Sequence, residues 1–287
     1  MFQTSNRLPA IATALLAGAL SSNAAIIATE YFNGYGASAT YTGGLSGGTG
    51  WTSNWSPSDA SYEPGSSLSY TATGYDNSAN LSGASDGAAT GTGNVTTDPT
   101  TAYRTFDDGD ASTIWISSLI SMDGSDRAVL WIDATSSTPA HFIGVLDGQI
   151  VMRYNDGSSN TIGTVGAWGN NTNPNGNATF TSGTALLLAK VEVANGGNDT
   201  FSFWFNPDLS GGEAGLGTAT ISAPAGADLF GDEIGGIGML IVGDEGGNEY
   251  IDALRVGTTF ADVVPEPSMA LLGGLGLLAL LRRRRSS

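Results

Sequence analysis

The chain has 287 residues, 42 of them glycine, and a formal charge of −17. That length allows one large β domain or two ordinary ones. Cysteine is absent and His141 is the lone histidine, which excludes disulfides, thiol catalysis and Cys- or His-rich metal centres and argues against triad chemistry.

Residues 1–24 read as a secretory leader. Arg7 supplies the positive start and residues 8–20 the apolar stretch. Ser22-Asn23-Ala24 gives the small-residue exit that a signal peptidase reads, with cleavage after Ala24. The body, residues 25–262, carries five basic and 26 acidic side chains, a charge of −21. Such a charge keeps an exported protein soluble, repels nucleic acid and anionic lipid, and suits divalent cations. Turn-forming Gly, Ser, Thr, Asn and Asp dominate, and Lys190 is the one lysine, so long solvated helices are not expected.

Strand signals recur through the body. Residues 26–32 open it, and residues 67–73 follow a polar stretch. Residues 77–99 read as a long loop or edge insertion. Residues 113–122 and 127–134 are expected to form a hairpin across Asp123-Gly124-Ser125-Asp126, and 142–146 with 149–154 another across Asp147-Gly148. Residues 170–177 read as a second loop. Residues 186–194 and 199–205 flank Asn195-Gly196-Gly197-Asn198, and residues 237–242 and 249–256 flank a last glycine-rich turn, spacings that antiparallel hairpins explain. In one hairpin Val191 and Val193 share a face opposite Lys190 and Glu192. Phe201, Phe203 and Phe205 form a stripe that belongs in a core. This pattern predicts an all-β, antiparallel sandwich with no fixed-period repeat.

The C-terminal residues 263–287 differ in kind. Val264-Pro265-Glu266-Pro267 keeps the chain extended. An apolar run, 269–281, follows, and then Arg282, Arg283, Arg284 and Arg285. As a helix the run spans about 20 Å, short of a bilayer core unless arginines snorkel and the bilayer thins. The arginines set that end in the cytoplasm, with the body outside.

Three constellations in the body are candidates for chemistry. Glu249 and Asp252 suggest a carboxylate pair, but a spacing of three puts them on opposite faces of a strand, and Asp252 pairing with Arg255 or capping a turn is the other reading. Asp107, Asp108 and Asp110 cluster hard oxygens on a turn, as calcium prefers, against the alternative of solvated turn acids. Asp232-Glu233 and Asp244-Glu245 are similar. Trp51, Trp55, Trp168 and Trp204 are candidates for stacking on sugar rings, against the alternative of packing in the core.

The tail resembles the PEP-CTERM sorting signal of Gram-negative bacteria, through Pro265-Glu266-Pro267, the short apolar run and the arginine cluster. That resemblance implies processing near the Pro-Glu-Pro by an exosortase and transient anchoring in the inner membrane. It further implies final display at the cell surface or in an exopolysaccharide matrix. The body resembles concanavalin A-like, or LamG-like, jelly rolls. The resemblance lies in Gly47-Gly48-Thr49-Gly50-Trp51 with Trp55, Thr113-Ile114-Trp115-Ile116-Ser117, residues 186–191 with Phe203-Trp204-Phe205-Asn206-Pro207, and residues 250–259 with Ala261-Asp262-Val263. It implies two packed antiparallel sheets and supplies no activity; with the readings of the two ends, the expected chain is a sandwich between an N-terminal signal helix and a short C-terminal transmembrane helix. The expectation is a non-catalytic exported protein with carbohydrate binding as its candidate activity. A divergent jelly-roll glycoside hydrolase and a purely structural matrix component are the alternatives.

Overall fold

The computed structural model describes residues 26–32, 46–56, 61–64, 67–72, 75–76, 87–90, 100–124, 127–133, 141–154, 179–180, 182–194, 197–223, 229–231, 234–242 and 249–264. In chain order the strands are β1 (Ile26–Glu30), β2 (Ser61–Pro64), β3 (Thr71–Ala72), β4 (Tyr75–Asp76), β5 (Gly87–Thr90), β6 (Thr100–Thr105), β7 (Thr113–Asp123) and β8 (Arg127–Ile132). They continue with β9 (His141–Leu146), β10 (Gln149–Arg153), β11 (Ser182–Glu192), β12 (Thr200–Phe205), β13 (Ile221–Ser222), β14 (Gly236–Val242) and β15 (Tyr250–Gly257), and one helical turn follows, α1 (Phe260–Val263). The expected signal helix and transmembrane helix fall outside the described residues. Among the described residues no helix is long and apolar enough to cross a membrane.

Two antiparallel sheets make a β-sandwich. The larger has eight strands, in the order β13-β12-β11-β7-β15-β5-β2 with β1 also paired to β15, and the smaller runs β10-β9-β8-β14-β6. Strand alternation explains the core. Ile114, Ile116 and Ile120 of β7, Leu187 and Val191 of β11, and Phe201 and Phe203 of β12 meet Leu130, Ile143, Met152 and Met239 from the smaller sheet. The phenylalanine stripe is therefore core, as its period of two requires. β11 is buried along most of its length because its other face is covered too, with Leu186 and Leu188 under Trp115, Trp204 and Leu209. Each such leucine, fully buried, contributes about 1.5–3 kcal/mol.

Two expected hairpins are corrected. β7 lies in the large sheet and β8 in the small one, and β14 and β15 are divided in the same way. The apolar faces of these consecutive strands therefore oppose each other across the core instead of lying side by side. The β9–β10 and β11–β12 hairpins form as expected. The stretch expected to be a loop or edge insertion contains β5, which pairs with both β15 and β2.

One polar corner lies between the sheets. The Glu30 carboxylate accepts hydrogen bonds from the Phe32 amide at 2.9 Å, the Trp55 indole at 3.3 Å and the Arg104 guanidinium at 2.8 Å. Arg104 also donates to the carbonyls of Ser53 and Gly47. Its guanidinium carbon sits 5.0 Å from the Trp51 ring centroid and 5.8 Å from that of Trp55. The loop holding Gly48 passes so close that a Cβ there would lie 2.1 Å from the Thr29 carbonyl, and its φ is +72°. Glycine is required at that position.

Candidate functional site

The indoles proposed for sugar stacking are placed first by this core. Trp55 is 0% exposed, stacked on Phe32 at 6.0 Å, with its N–H given to Glu30. Trp204 is 9% exposed and stacks on Trp115 at 5.9 Å with 21° between planes. Its N–H points to the Gly217 carbonyl at 3.4 Å. Trp51 is half-buried and donates to the Thr29 carbonyl. Trp168 lies outside the described residues, as do Ala24, Pro265, Glu266, Pro267 and Arg282 to Arg285.

The acidic turn has a structural use. Asp107 accepts the Gly109 amide, while Asp108 accepts the amides of Asp110 and Ile234, tying the turn to the start of β14. Among the described residues no group of three or more His, Cys, Asp or Glu side chains is placed to hold a metal ion.

A different constellation forms on the outer face of the large sheet. It begins with a bulge in β15. Ile251 and Leu254, three residues apart, both face the core, because the register with β7 shifts between Asp252 and Arg255. Ala253 takes a φ of +51° within that bulge. The Asp252 carboxylate holds the distortion, accepting the Ala253 amide at 2.6 Å and the Leu68 amide at 2.8 Å, and Ser118 donates to the Asp252 carbonyl. The second reading of Asp252, a cap for backbone amides, is therefore the one that its geometry follows.

Beside it stand four tyrosines from distant segments. Tyr31 follows β1, and its ring centroid lies 5.4 Å from the Arg255 guanidinium carbon, with a hydrogen bond between the two side chains. Tyr70 and Tyr75 meet edge to face at 5.7 Å. The Tyr70 hydroxyl donates to Asn206, whose side-chain oxygen also caps the Leu186 amide where β12 ends. Tyr250 packs against the same apolar cluster. The Tyr75 hydroxyl and the Arg255 Nε are buried with no hydrogen-bond partner among the described residues, as is the Ser67 hydroxyl.

Burial raises the Tyr31 phenol pKa, with Arg255 opposing, and burial likewise raises those of Tyr70 and Tyr75. All three are neutral hydroxyls at ordinary pH rather than phenolate bases. Tyr31 and Tyr70 are the partly exposed rings among them, beside the buried Tyr75 and Arg255. Sequence reasoning missed the tyrosines because Tyr31, Tyr70, Tyr75 and Tyr250 share no linear motif.

Residues 263–285 match the PEP-CTERM protein-sorting motif. The motif marks the chain for export sorting, implies an exosortase as processing partner and implies a C-terminal anchor in the inner membrane before processing. No curated protein matches the chain. Among solved structures, an endo-β-1,4-glucuronan lyase from the fungus Trichoderma reesei is 13% identical with a TM-score of 0.44, over 75% of this chain and 95% of that one. An alginate lyase in complex with alginate tetrasaccharide is 11% identical at 0.38, over 79% and 95%. The binding domain of botulinum neurotoxin DC is 11% identical at 0.33, over 56% and 36%. At these scores the likeness transfers neither activity nor ligand.

Proposed function

We propose that the chain is an exported cell-surface or extracellular-matrix protein of a Gram-negative bacterium, cut by signal peptidase and exosortase, whose jelly-roll body binds carbohydrate without catalysing a reaction on it. The observation that carries the routing is the sorting motif at residues 263–285. Carbohydrate binding is supported by the face where Tyr31, Tyr70 and Asn206 lie at the surface over the buried Tyr75 and Arg255, so that aromatic rings and hydrogen-bonding groups converge from five segments. A hydrolase would use two carboxylates about 5–9.5 Å apart across a groove. Asp252 instead gives both oxygens to backbone amides.

Two measurements test this. In cells lacking the exosortase, unprocessed protein stays in the membrane fraction, and the processed form in wild-type cells reaches the surface or matrix. Affinity for the cell's own exopolysaccharide falls at least about tenfold in Tyr31→Ala plus Tyr70→Ala, the scale expected for losing two ring contacts. Equal binding by that variant overturns the assignment of this face.

A further inference from the structure

The sorting signal does not begin outside the body; it begins inside the fold. Its first residues, Val263 and Val264, are 0% and 1% exposed. They are held by a clasp built on α1. Asp262 accepts the Thr259 amide and hydroxyl, at 2.8 and 2.9 Å, closing a capping box around a single helical turn. Phe260 packs edge-on against Trp115 at 5.4 Å. The Ser117 hydroxyl of β7 donates to the Val263 carbonyl at 2.6 Å, and the Val264 amide bonds back to Phe260. Gly257 admits this close approach, since a Cβ there would lie 2.3 Å from the Asp262 Cβ.

Pro265 follows Val264 by one peptide bond. Fully extended, Pro265 to Pro267 reach only about 10 Å from the clasped residue. A protease that draws its substrate into a cleft as an extended strand needs residues on both sides of the bond it cuts. With Phe260 to Val264 clasped, the body itself occupies the N-terminal side of the signal.

We infer that the α1 clasp is a brake on processing: the exosortase cuts the chain in the state where residues 260–264 have come away from the large sheet. The inference rests on the routing proposed above. Only the unclasped fraction is a substrate, so the observed rate scales with that fraction.

The test is pulse-chase of the full-length chain in cells with and without the exosortase. An eight-residue Gly/Ser insertion between Val264 and Pro265 leaves the clasp and the stretch from Pro265 to Arg285 intact, and spaces that stretch from the body. It speeds processing by about tenfold or more, as removal of a minority-state requirement does. Phe260→Ala, which loosens the clasp, speeds processing in the uninserted chain and adds nothing to the inserted one. The insertion leaves every body contact in place, so it remains informative if Phe260→Ala fails to fold. Exosortase-dependent cleavage at equal rates in the wild-type and inserted chains overturns the brake and leaves the routing standing. Cleavage of no chain, or cleavage independent of the exosortase, overturns the routing and the brake with it.

Discussion

Two polar corners of this sandwich are equally buried and differently finished. In the first, between the sheets, the Glu30 carboxylate meets an amide, an indole and the Arg104 guanidinium, and Arg104 spends its remaining donors on carbonyls. In the second, on the outer face of the large sheet, Asp252 is satisfied by amides, but the Arg255 Nε, the Tyr75 hydroxyl and the Ser67 hydroxyl have no partner among the described residues. Completed networks rigidify a fold, while buried donors without partners cost stability that a ligand can return. The first corner holds the sheets together, and the second is the one that the proposed carbohydrate binding would use.

The sharpest way to break this contrast is to disturb the first corner. Glu30→Gln leaves the Arg104 charge buried without its counter-ion, and unfolding by urea is expected to show a loss of about 3–5 kcal/mol. Replacing both partners, Glu30→Met with Arg104→Leu, recovers much of that loss, because no buried charge remains. A single variant that loses under about 1 kcal/mol, the range of a solvated surface pair, would mean that the corner is wet and open.

A third buried group gives a smaller, pH-dependent effect. His141 lies in β9 with its ring 4.4 Å from that of Phe230. Burial lowers its pKa to about 4, opposed by a hydrogen bond to the Leu229 backbone, with Arg153 lowering it further and Asp199 raising it. The unfolded chain binds this proton below about pH 6.5 and the folded chain only near pH 4, so stability is full above that range and falls as pH drops through it. The His141 contribution lost amounts to about 3 kcal/mol. In His141→Phe the slope between pH 6.5 and 4 flattens by one proton, and an unchanged slope would place the titration elsewhere.

Much of the first layer was legible. Asp147-Gly148 announced the β9–β10 turn, and both residues take the positive φ that such turns use. The β11–β12 alternation gave the correct register faces. What the sequence hides is pairing between sheets: a turn signal fixes where the chain reverses, not which sheet the next strand joins. That is why the turn signals between β7 and β8 and between β14 and β15 point to hairpins that the fold does not contain. β6, with the sequence TTAYRT, gave no strand signal strong enough to read, and its Arg104 looks like surface charge until Glu30 is brought to it from β1. The tyrosine face was invisible for a related reason, since its members meet only after the bulge in β15 turns Arg255 outward.

That face gives the smallest stability effect and the most discriminating one. Tyr75 is 1% exposed, and its hydroxyl has no partner among the described residues. Tyr75→Phe keeps the ring against Tyr70 and removes only the oxygen, so stability is expected to stay within about 1 kcal/mol of wild type, on the stabilising side. Glycan affinity falls in the same variant by about threefold or more if binding uncovers this buried hydroxyl and gives it a hydrogen bond on the sugar. Unfolding and binding curves on one protein therefore separate the two corners. A stability loss of about 2 kcal/mol or more would show the hydroxyl to be a structural group like those around Glu30. Unchanged affinity with unchanged stability would leave it outside the binding site.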